Sequence, residues 1–259
     1  MALDFTLTAF ENILKAVLDA GYKFDSFENY LNGKSGHEKL ILLRHDVDKL
    51  PYNSLATAQI ENKLGIVSTY YFRIVDSSND RKVINAIRDL GHEIGYHYEE
   101  MDLANGNYDE AVKIFEKNLE YFRTYYPVVT ICMHGSPMSK FDNKQIWDKI
   151  NYRDYGIIGE PYYDVDFSVF GYLTDTGRSW NGEKVSVRDK VKTDPYKLNL
   201  QTSFEVIDAF KNNKLPKKIM MTTHPQRWNN NILPYVSEYV MQSLKNVVKG
   251  VIVKKNSKK

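Results

Sequence analysis

The sequence has a single cysteine, Cys132, and no apolar run long enough to cross a membrane. One cysteine excludes a disulfide framework within the chain, and its apolar neighbours favour a buried structural thiol over a nucleophile. The N-terminal stretch contains acidic residues and no basic leader, so we do not expect a secretory signal. Together these absences favour a cytoplasmic protein without a transmembrane segment.

The sequence also lacks an excess of charge of either sign. Its 35 basic and 33 acidic residues leave a net charge of only +2, which gives no reason to expect a nucleic-acid partner. Lysines cluster at 254, 255, 258 and 259; a solvated tail is favoured there, and weak attraction to an anionic membrane is the minor alternative. We find no glycine-rich phosphate loop, serine elbow or cysteine nucleophile motif, which argues against the corresponding enzyme classes.

The composition that remains is that of a globular protein, with 42% hydrophobic and 26% charged residues over 259 positions. From about residue 39 onward, strand-like and helix-like segments alternate, which predicts parallel β/α units in either a barrel or a doubly wound sheet. The strands are expected at 39–43, 68–72, 93–96, 128–133, 169–173, 185–187 and 218–223. We predict one domain, 1–259, with a helical N-terminal segment of about residues 1–35 packed outside the sheet.

Reactive side chains follow these predicted strands. They are Arg44, His45, Asp46 and Asp48 after the first strand, Arg73 after the second, His97 after the third, His134 after the fourth, Asp175, Arg178 and Trp180 after the fifth, and His224 after the last. The C-terminal ends of parallel strands meet on one face of such folds, so we expect these residues to share one mouth. Each alone has an ordinary explanation, such as a helix cap or a satisfied core histidine; their joint placement favours a functional site.

Imidazole and carboxylate groups together suit a divalent metal, with zinc the best match, and an open position would hold the reactive water. Asp46 and Asp48 are two residues apart, so at a strand end one can bind metal while the other accepts a proton. Metal, carboxylate base and histidine acid form a set of groups suited to hydrolysis.

At these residues the sequence resembles the NodB-like polysaccharide deacetylases, carbohydrate esterase family four, over about residues 40–230. It is most similar to the branch found in bacterial O-antigen and capsule gene clusters. Leu43–Asp48 matches the family's first motif, which implies that Asp46 is the base and Asp48 a metal ligand. Gly91–His97 matches the second motif, whose final histidine, here His97, is a ligand. The family's fold is a distorted (β/α) barrel of about seven parallel strands.

Two further segments carry the resemblance. Thr223–Pro225 matches the last motif, which implies that His224 is the general acid. Cys132–Pro137 stands where the family has an arginine-proline motif that orients the base, and here the arginine is absent.

A second departure lies in the metal ligands. The family's usual second ligand histidine is replaced by Met101, a poor ligand for zinc. Glu99, Glu100 or His134 can supply the missing ligand, and His134 is the first choice because it follows a separate strand.

The resemblance implies a zinc-dependent hydrolase that removes an N-acetyl group from a sugar or sugar precursor in surface polysaccharide biosynthesis. A cytoplasmic enzyme would meet a nucleotide- or lipid-linked sugar. Candidate substrate-binding residues are Arg44, Arg73 and Arg178 for an anionic group, and Trp180 and Trp228 for stacking on sugars. Internal pairing with carboxylates is the competing interpretation for the arginines.

Two other functions remain open at this point. One is a catalytically degraded deacetylase fold that acts as a carbohydrate-binding or assembly protein, which the Met101 position favours. The other is hydrolysis of a small non-sugar amide.

Overall fold

The computed structural model describes residues 3–136, 139–180, 191 and 195–256, with side chains described as far as residue 247. Within these residues, seven strands form one sheet in which every neighbouring pair is parallel. The strands are β1 (Lys23–Asp25), β2 (Leu40–Val47), β3 (Thr69–Phe72), β4 (Glu93–Tyr98), β5 (Ile131–Met133), β6 (Gly171–Thr174) and β7 (Lys218–Thr223). Their order is β5-β4-β3-β2-β7-β6, and β1 pairs with the first half of β2. The sheet curls into an incomplete barrel, and the predicted α/β fold with about seven parallel strands is confirmed.

The helices connect these strands. They are α1 (Leu7–Asp19), α2 (Phe27–Leu31), α3 (Pro51–Lys63), α4 (Arg81–Asp89), α5 (Glu100–Leu103), α6 (Tyr108–Arg123), α7 (Pro161–Asp164), α8 (Ser203–Lys211) and α9 (Ile232–Asn256). Most begin where a side chain accepts a backbone N–H of the first turn, as Asp80 does for α4 and Asn107 for α6. The segment Asn143–Asp148 is a 3-10 helix. Among the described residues, no helix combines the length and apolarity needed to cross a bilayer.

The alternation of side chains along β2 separates the outside of the barrel from its interior. Ile41 and Leu43 face outward into a core built with α1 and α8. Leu40 and Leu42 face inward into an apolar cluster that includes Met220. Beyond them on the same inner face come Arg44 and Asp46. The barrel interior is therefore apolar at the N-terminal ends of the strands and charged at the C-terminal ends.

Strand β2 continues four residues past the predicted end, and this reverses one expectation. His45 lies inside the strand, faces the helices and is fully buried, so it is not part of the mouth of the barrel. Its Nε2 atom lies 2.7 Å from Glu61 Oε1 on α3, and its Nδ1 atom 2.6 Å from Thr223 Oγ1. Hydrophobicity ends the predicted strand at Leu43, but backbone pairing with β3 and β7 carries it through the polar residues.

The N-terminal segment is not helical throughout. Helix α1 packs on the outside against α8 and α3, as its apolar spacing predicts. Lys23–Asp25, however, forms β1 and joins the sheet beside Leu40–Leu42 of β2. Three residues are too few for an alternating pattern to be recognised in the sequence, and the edge of β2 supplies the hydrogen-bonding partners. The strand predicted at 185–187 lies outside the described residues.

Candidate active site

The order of the strands brings the candidate residues to the same end of the barrel. His97 lies near the end of β4, Asp46 near the end of β2, and His224 directly after β7. In the sheet, β2 lies between β4 and β7, next to β7 and separated from β4 by β3. The last registered pair of β2 and β7 is His45 with Thr223, so Asp46 and His224 follow as the next positions on neighbouring strands. His134 follows β5, next to β4. His97 and His224 therefore approach Asp46 from opposite sides.

The Asp48 carboxylate lies close to two histidine rings beside this position. Asp48 Oδ1 lies 3.7 Å from His97 Nε2 and 3.6 Å from His134 Nε2. Two atoms bound about 2.1 Å from a tetrahedral zinc ion are roughly 3.4 Å apart, so each of these two separations is close to that of a ligand pair in a zinc site. The two histidine nitrogens lie more than 4.8 Å from each other, so a ring has to move for both to bind one ion. Asp48 Oδ1 is itself buried and receives no hydrogen bond from the described residues. A buried carboxylate oxygen without a donor is what a cation site requires.

The partners of the two rings explain why a cation suits the gap. His97 Nδ1 lies 2.9 Å from the carbonyl oxygen of Cys132, which only accepts, so this nitrogen carries the proton. His134 Nδ1 lies 2.9 Å from Glu99 Oε2, outside hydrogen-bond geometry, and the negative charge of that carboxylate favours a proton on this nitrogen. In the neutral rings, both Nε2 lone pairs then face Asp48 Oδ1. Three electron-rich atoms without a hydrogen between them repel one another unless a proton or a metal ion lies among them.

Charged neighbours shift the pKa values of this cluster in opposite directions. Burial tends to raise the pKa of Asp48, but His97, His134 and His224 outweigh it and hold that pKa well below the usual value. Burial tends to lower the pKa of His97, but the carboxylates of Asp46 and Asp48 raise it above the usual value. The site thus keeps its carboxylate ionised and attracts positive charge.

Glu99 lies behind His134 and is fixed by Arg73. The guanidinium donates two hydrogen bonds to the Glu99 carboxylate, at 3.0 and 2.6 Å, and Arg73 Nη1 donates a third to the Asp48 carbonyl oxygen at 3.2 Å. Burial opposes ionisation of Glu99, yet His134 and Arg73 lower its pKa to about 2. A carboxylate behind a ligating imidazole fixes the ring orientation and raises its basicity. Arg73, expected to bind substrate, is engaged in this support.

Asp46 and Arg44 form a separate buried pair on the inner face of β2. Arg44 Nε and Nη2 donate to the two carboxylate oxygens of Asp46, each at 2.9 Å. Arg44 Nη2 also donates to Tyr162 Oη at 3.0 Å. Arg44 is only 2% exposed, so it orients Asp46 rather than reaching toward solvent and a substrate anion.

His224 has a carboxylate partner that the sequence left without a role. Asp175 Oδ1 lies 2.6 Å from His224 Nδ1, and Asp175 Oδ2 accepts the backbone N–H of His224 at 2.9 Å. Asp175 Oδ2 also accepts the indole N–H of Trp228 at 2.9 Å, and Arg227 Nη1 lies 2.5 Å from Oδ1. Burial tends to raise the pKa of Asp175, but Arg227 and His224 hold it below the usual value. The carboxylate fixes the His224 ring and leaves its Nε2 atom free to exchange a proton.

The other candidate residues lie away from this cluster. Trp180 and Trp228 are buried in the core between α1 and the sheet, at 2% and 0% exposure, so neither indole presents a face to a sugar. Arg178 pairs with Glu238 of α9 at 2.9 Å. Glu100 points into the opposite side of β4, where it accepts from Tyr96 and Asn118. We assign these side chains to the core and to helix packing.

Two neighbours of the cluster carried no signal in the sequence pattern. Gln226 Nε2 donates to Asp48 Oδ2 at 3.0 Å, which leaves Oδ1 directed at the two histidines. Gly95 lies two residues before His97 on the inner face of β4, and a Cβ atom there would come within 2.3 Å of the Tyr71 ring. The second glycine of the Gly91–His97 motif therefore makes room for a buried tyrosine beside the site.

A different set of ligand types comes closer together in the described residues. Single ligand atoms of Asp46, His97 and Cys132 lie within 4.8 Å of one another. Both oxygens of Asp46 are already bound to the Arg44 guanidinium, whose charge repels a cation, and Cys132 is fully buried. Asp48 and His134 are 24% and 15% exposed at their side chains, which leaves an approach from the mouth. The Asp46, His97 and Cys132 set is therefore poorly suited to a cation, and Asp48 and His134 are the neighbours of His97 that remain accessible from the mouth.

Comparison with known proteins adds a distant likeness in fold. No family model matches the chain, and no curated protein matches it. The chain is similar to a solved structure described as a mutant of a CE4 family pseudoenzyme with restored enzymatic activity, at 13% identity and a TM-score of 0.46. The alignment covers 82% of this chain and 64% of that chain, so the present chain spans about two thirds of its length. Such a likeness says nothing about activity.

Proposed function

We propose that the protein is a metal-dependent amide hydrolase that removes an N-acetyl group from a sugar or sugar precursor used in surface polysaccharide biosynthesis. One observation supports this proposal: Asp48 Oδ1 lies 3.7 Å from His97 Nε2 and 3.6 Å from His134 Nε2, and this cluster lies beside Asp46 and His224, which occupy neighbouring positions at the ends of β2 and β7. The resemblance of the motifs around these residues to the NodB-like deacetylases supports an acetylated amino sugar as substrate.

The roles of the protein side chains follow from their partners. A divalent metal held by the trio, with zinc the best match to the ligand types, would polarise the amide carbonyl and offset the developing negative charge. Asp46 is the general base: Arg44 holds both its oxygens in place, and the carboxylate takes the proton of the attacking water. His224 is the general acid: Nδ1 is fixed by Asp175, so the proton delivered to the leaving nitrogen is on Nε2.

The replacement of a family ligand by Met101 does not remove the third ligand from this arrangement. Met101 is 2% exposed and packs in the core on the other side of β4. His134 reaches the position from the neighbouring strand instead, with Glu99 behind it. This is the specific reason to favour a hydrolase over a carbohydrate-binding protein on a degraded fold, because binding alone requires no base, acid and ligand set.

The proposal is tested by an amine-release assay with zinc-loaded protein on N-acetylated amino sugars, free, nucleotide-linked and lipid-linked, and on a small non-sugar acetamide. We expect zinc-dependent release from at least one sugar and much slower release from the acetamide. Asp46→Asn and Asp48→Asn form a matched pair, because they remove the same charge two residues apart. Asp46→Asn should lose turnover and retain zinc, whereas Asp48→Asn should lose both. Zinc-loaded protein that hydrolyses none of these substrates would contradict the proposal.

A further inference from the structure

Helix α9 is attached to the protein through its polar side. Glu238, Gln242 and Asn246 are four residues apart and so lie on one face of the helix. Glu238 Oε2 lies 2.9 Å from Arg178 Nη1, and Asn246 Nδ2 donates to the carbonyl oxygen of Gly177 at 2.8 Å. Gln242 is 5% exposed and donates to Asn246 at 2.7 Å.

Aromatic rings strengthen this attachment. The Arg178 guanidinium lies 4.6 Å from the centroid of the Tyr235 ring and 4.9 Å from that of Phe5. These cation–π contacts bridge α9 to the N-terminal segment, and the Arg178–Glu238 pair between them is largely shielded from water. The inward orientation of the polar face is therefore fixed by several independent contacts.

The outward face of the same helix is apolar. Five exposed apolar side chains lie on it, Leu233, Val236, Val240, Leu244 and Val247, with exposed fractions of 81%, 47%, 51%, 62% and 70%, and the exposed Ser237 lies at their edge. Their spacing of three or four residues places them in one stripe about 21 Å long, at 1.5 Å per residue. A surface helix ordinarily buries this stripe and exposes its polar side; α9 does the reverse. A contiguous exposed apolar stripe indicates an interaction surface.

The charge of the surrounding segment identifies the kind of partner. Residues 239–259 contain six lysines, at 245, 249, 254, 255, 258 and 259, and no aspartate or glutamate. A second copy of this segment would place like charges against one another. An anionic lipid surface attracts the lysines while its acyl boundary accepts the apolar stripe.

We propose that α9 is a membrane-surface helix that holds the protein against an anionic lipid bilayer. The apolar stripe enters the boundary between headgroups and acyl chains, the lysines contact anionic headgroups, and the polar face remains bound to the body of the protein through Arg178 and Gly177. The inference rests on the exposure and charge of α9 and does not depend on the proposed catalytic activity.

Vesicle co-sedimentation of the full chain tests the proposal. Vesicles of phosphatidylcholine mixed with phosphatidylglycerol should bind the protein, vesicles of phosphatidylcholine alone should bind it much less, and added salt should weaken binding. Replacing Val240 and Leu244 together by serine should lower the affinity at least about tenfold. The matched control Val169→Ser, at an apolar side chain of similar exposure (46%) before β6, should leave it unchanged.

A second measurement reports the position of the helix directly. Cys132 is fully buried, so a dye attached to Ser243→Cys reports α9 selectively. Its emission should shift to shorter wavelength on phosphatidylglycerol vesicles only. Equal binding to both kinds of vesicle, or binding to neither, would overturn the proposal. So would a dimer in sedimentation velocity that is dissociated by the double variant Val240→Ser, Leu244→Ser, and that result would identify a second copy as the occupant.

Discussion

His134 and Glu99 face each other at 2.9 Å, Nδ1 to Oε2, although one follows β5 and the other β4. The contact directs His134 Nε2 toward Asp48, and Arg73 holds Glu99 from behind. In the proposed metal site, His134 would replace the ligand that Met101 cannot supply, and Glu99 would support it.

Replacing Glu99 by glutamine should lower zinc affinity by about 10- to 100-fold, because the His134 ring loses the charge that orients it and raises its basicity. Competition with a chromogenic chelator measures the affinity. Glu100→Gln is the matched control, since the neighbouring glutamate is equally buried but faces Tyr96 and Asn118 on the other side of β4. Equal losses in the two variants would show that the effect is not specific to the His134 contact.

Replacing Arg44 by methionine should reduce turnover by roughly 10²-fold while zinc remains bound, because Asp46 loses the donors that fix both its oxygens. Arg44→Lys should recover only part of the rate, since an ammonium cannot donate the same bidentate pair. Steady-state kinetics and zinc content are measured on the same preparations. Loss of zinc in the methionine variant would instead place Arg44 in support of the metal.

Replacing His224 by alanine should slow turnover by roughly 10²-fold or more with metal content intact. The ring is fixed by Asp175, so Asp175→Asn should lower turnover as well and also lower the melting temperature, because Arg227 would remain buried without its partner. Unchanged turnover in the His224→Ala protein would remove this residue from the mechanism.

Glu100 gives the fold a measurable pH dependence. Burial raises its pKa to about 7 from about 4.5, so the folded state binds its proton more tightly than the unfolded state. The free energy of unfolding should therefore fall as pH rises from about 4.5 to about 7, by on the order of 3 kcal/mol from this group. Urea denaturation at several pH values should show a shallower fall in Glu100→Gln. If the free energy of unfolding fell with pH equally in both proteins, the proton responsible would belong to another group.

Much of this arrangement follows from the sequence because parallel strands end at one place. The alternation of apolar strands with helices predicts the sheet, and the polar residues after the strands predict which side chains meet. The full length of β2 could not be predicted from the sequence. Arg44 and Asp46 pair with each other inside the strand, and a hydrophobicity pattern does not reveal such a pair. The spacing of two residues on one strand face was the available signal for that pair.

Partners contributed by distant segments were harder to predict. Asp175 follows a strand as Asp46 and Asp48 do, but its contact with His224 depends on the neighbouring positions of β6 and β7, which the sequence does not state. Trp180 and Trp228 are aromatic residues near strand ends, a pattern common to sugar-binding and core positions, and only their burial separates the two.

The most direct test of the central claim is anomalous diffraction from crystals soaked in zinc. The account predicts one strong peak about 2.0–2.2 Å from Asp48 Oδ1, His97 Nε2 and His134 Nε2, with Glu99 still in contact with His134 Nδ1. No peak in this position, or a peak between Asp46, His97 and Cys132, would contradict it.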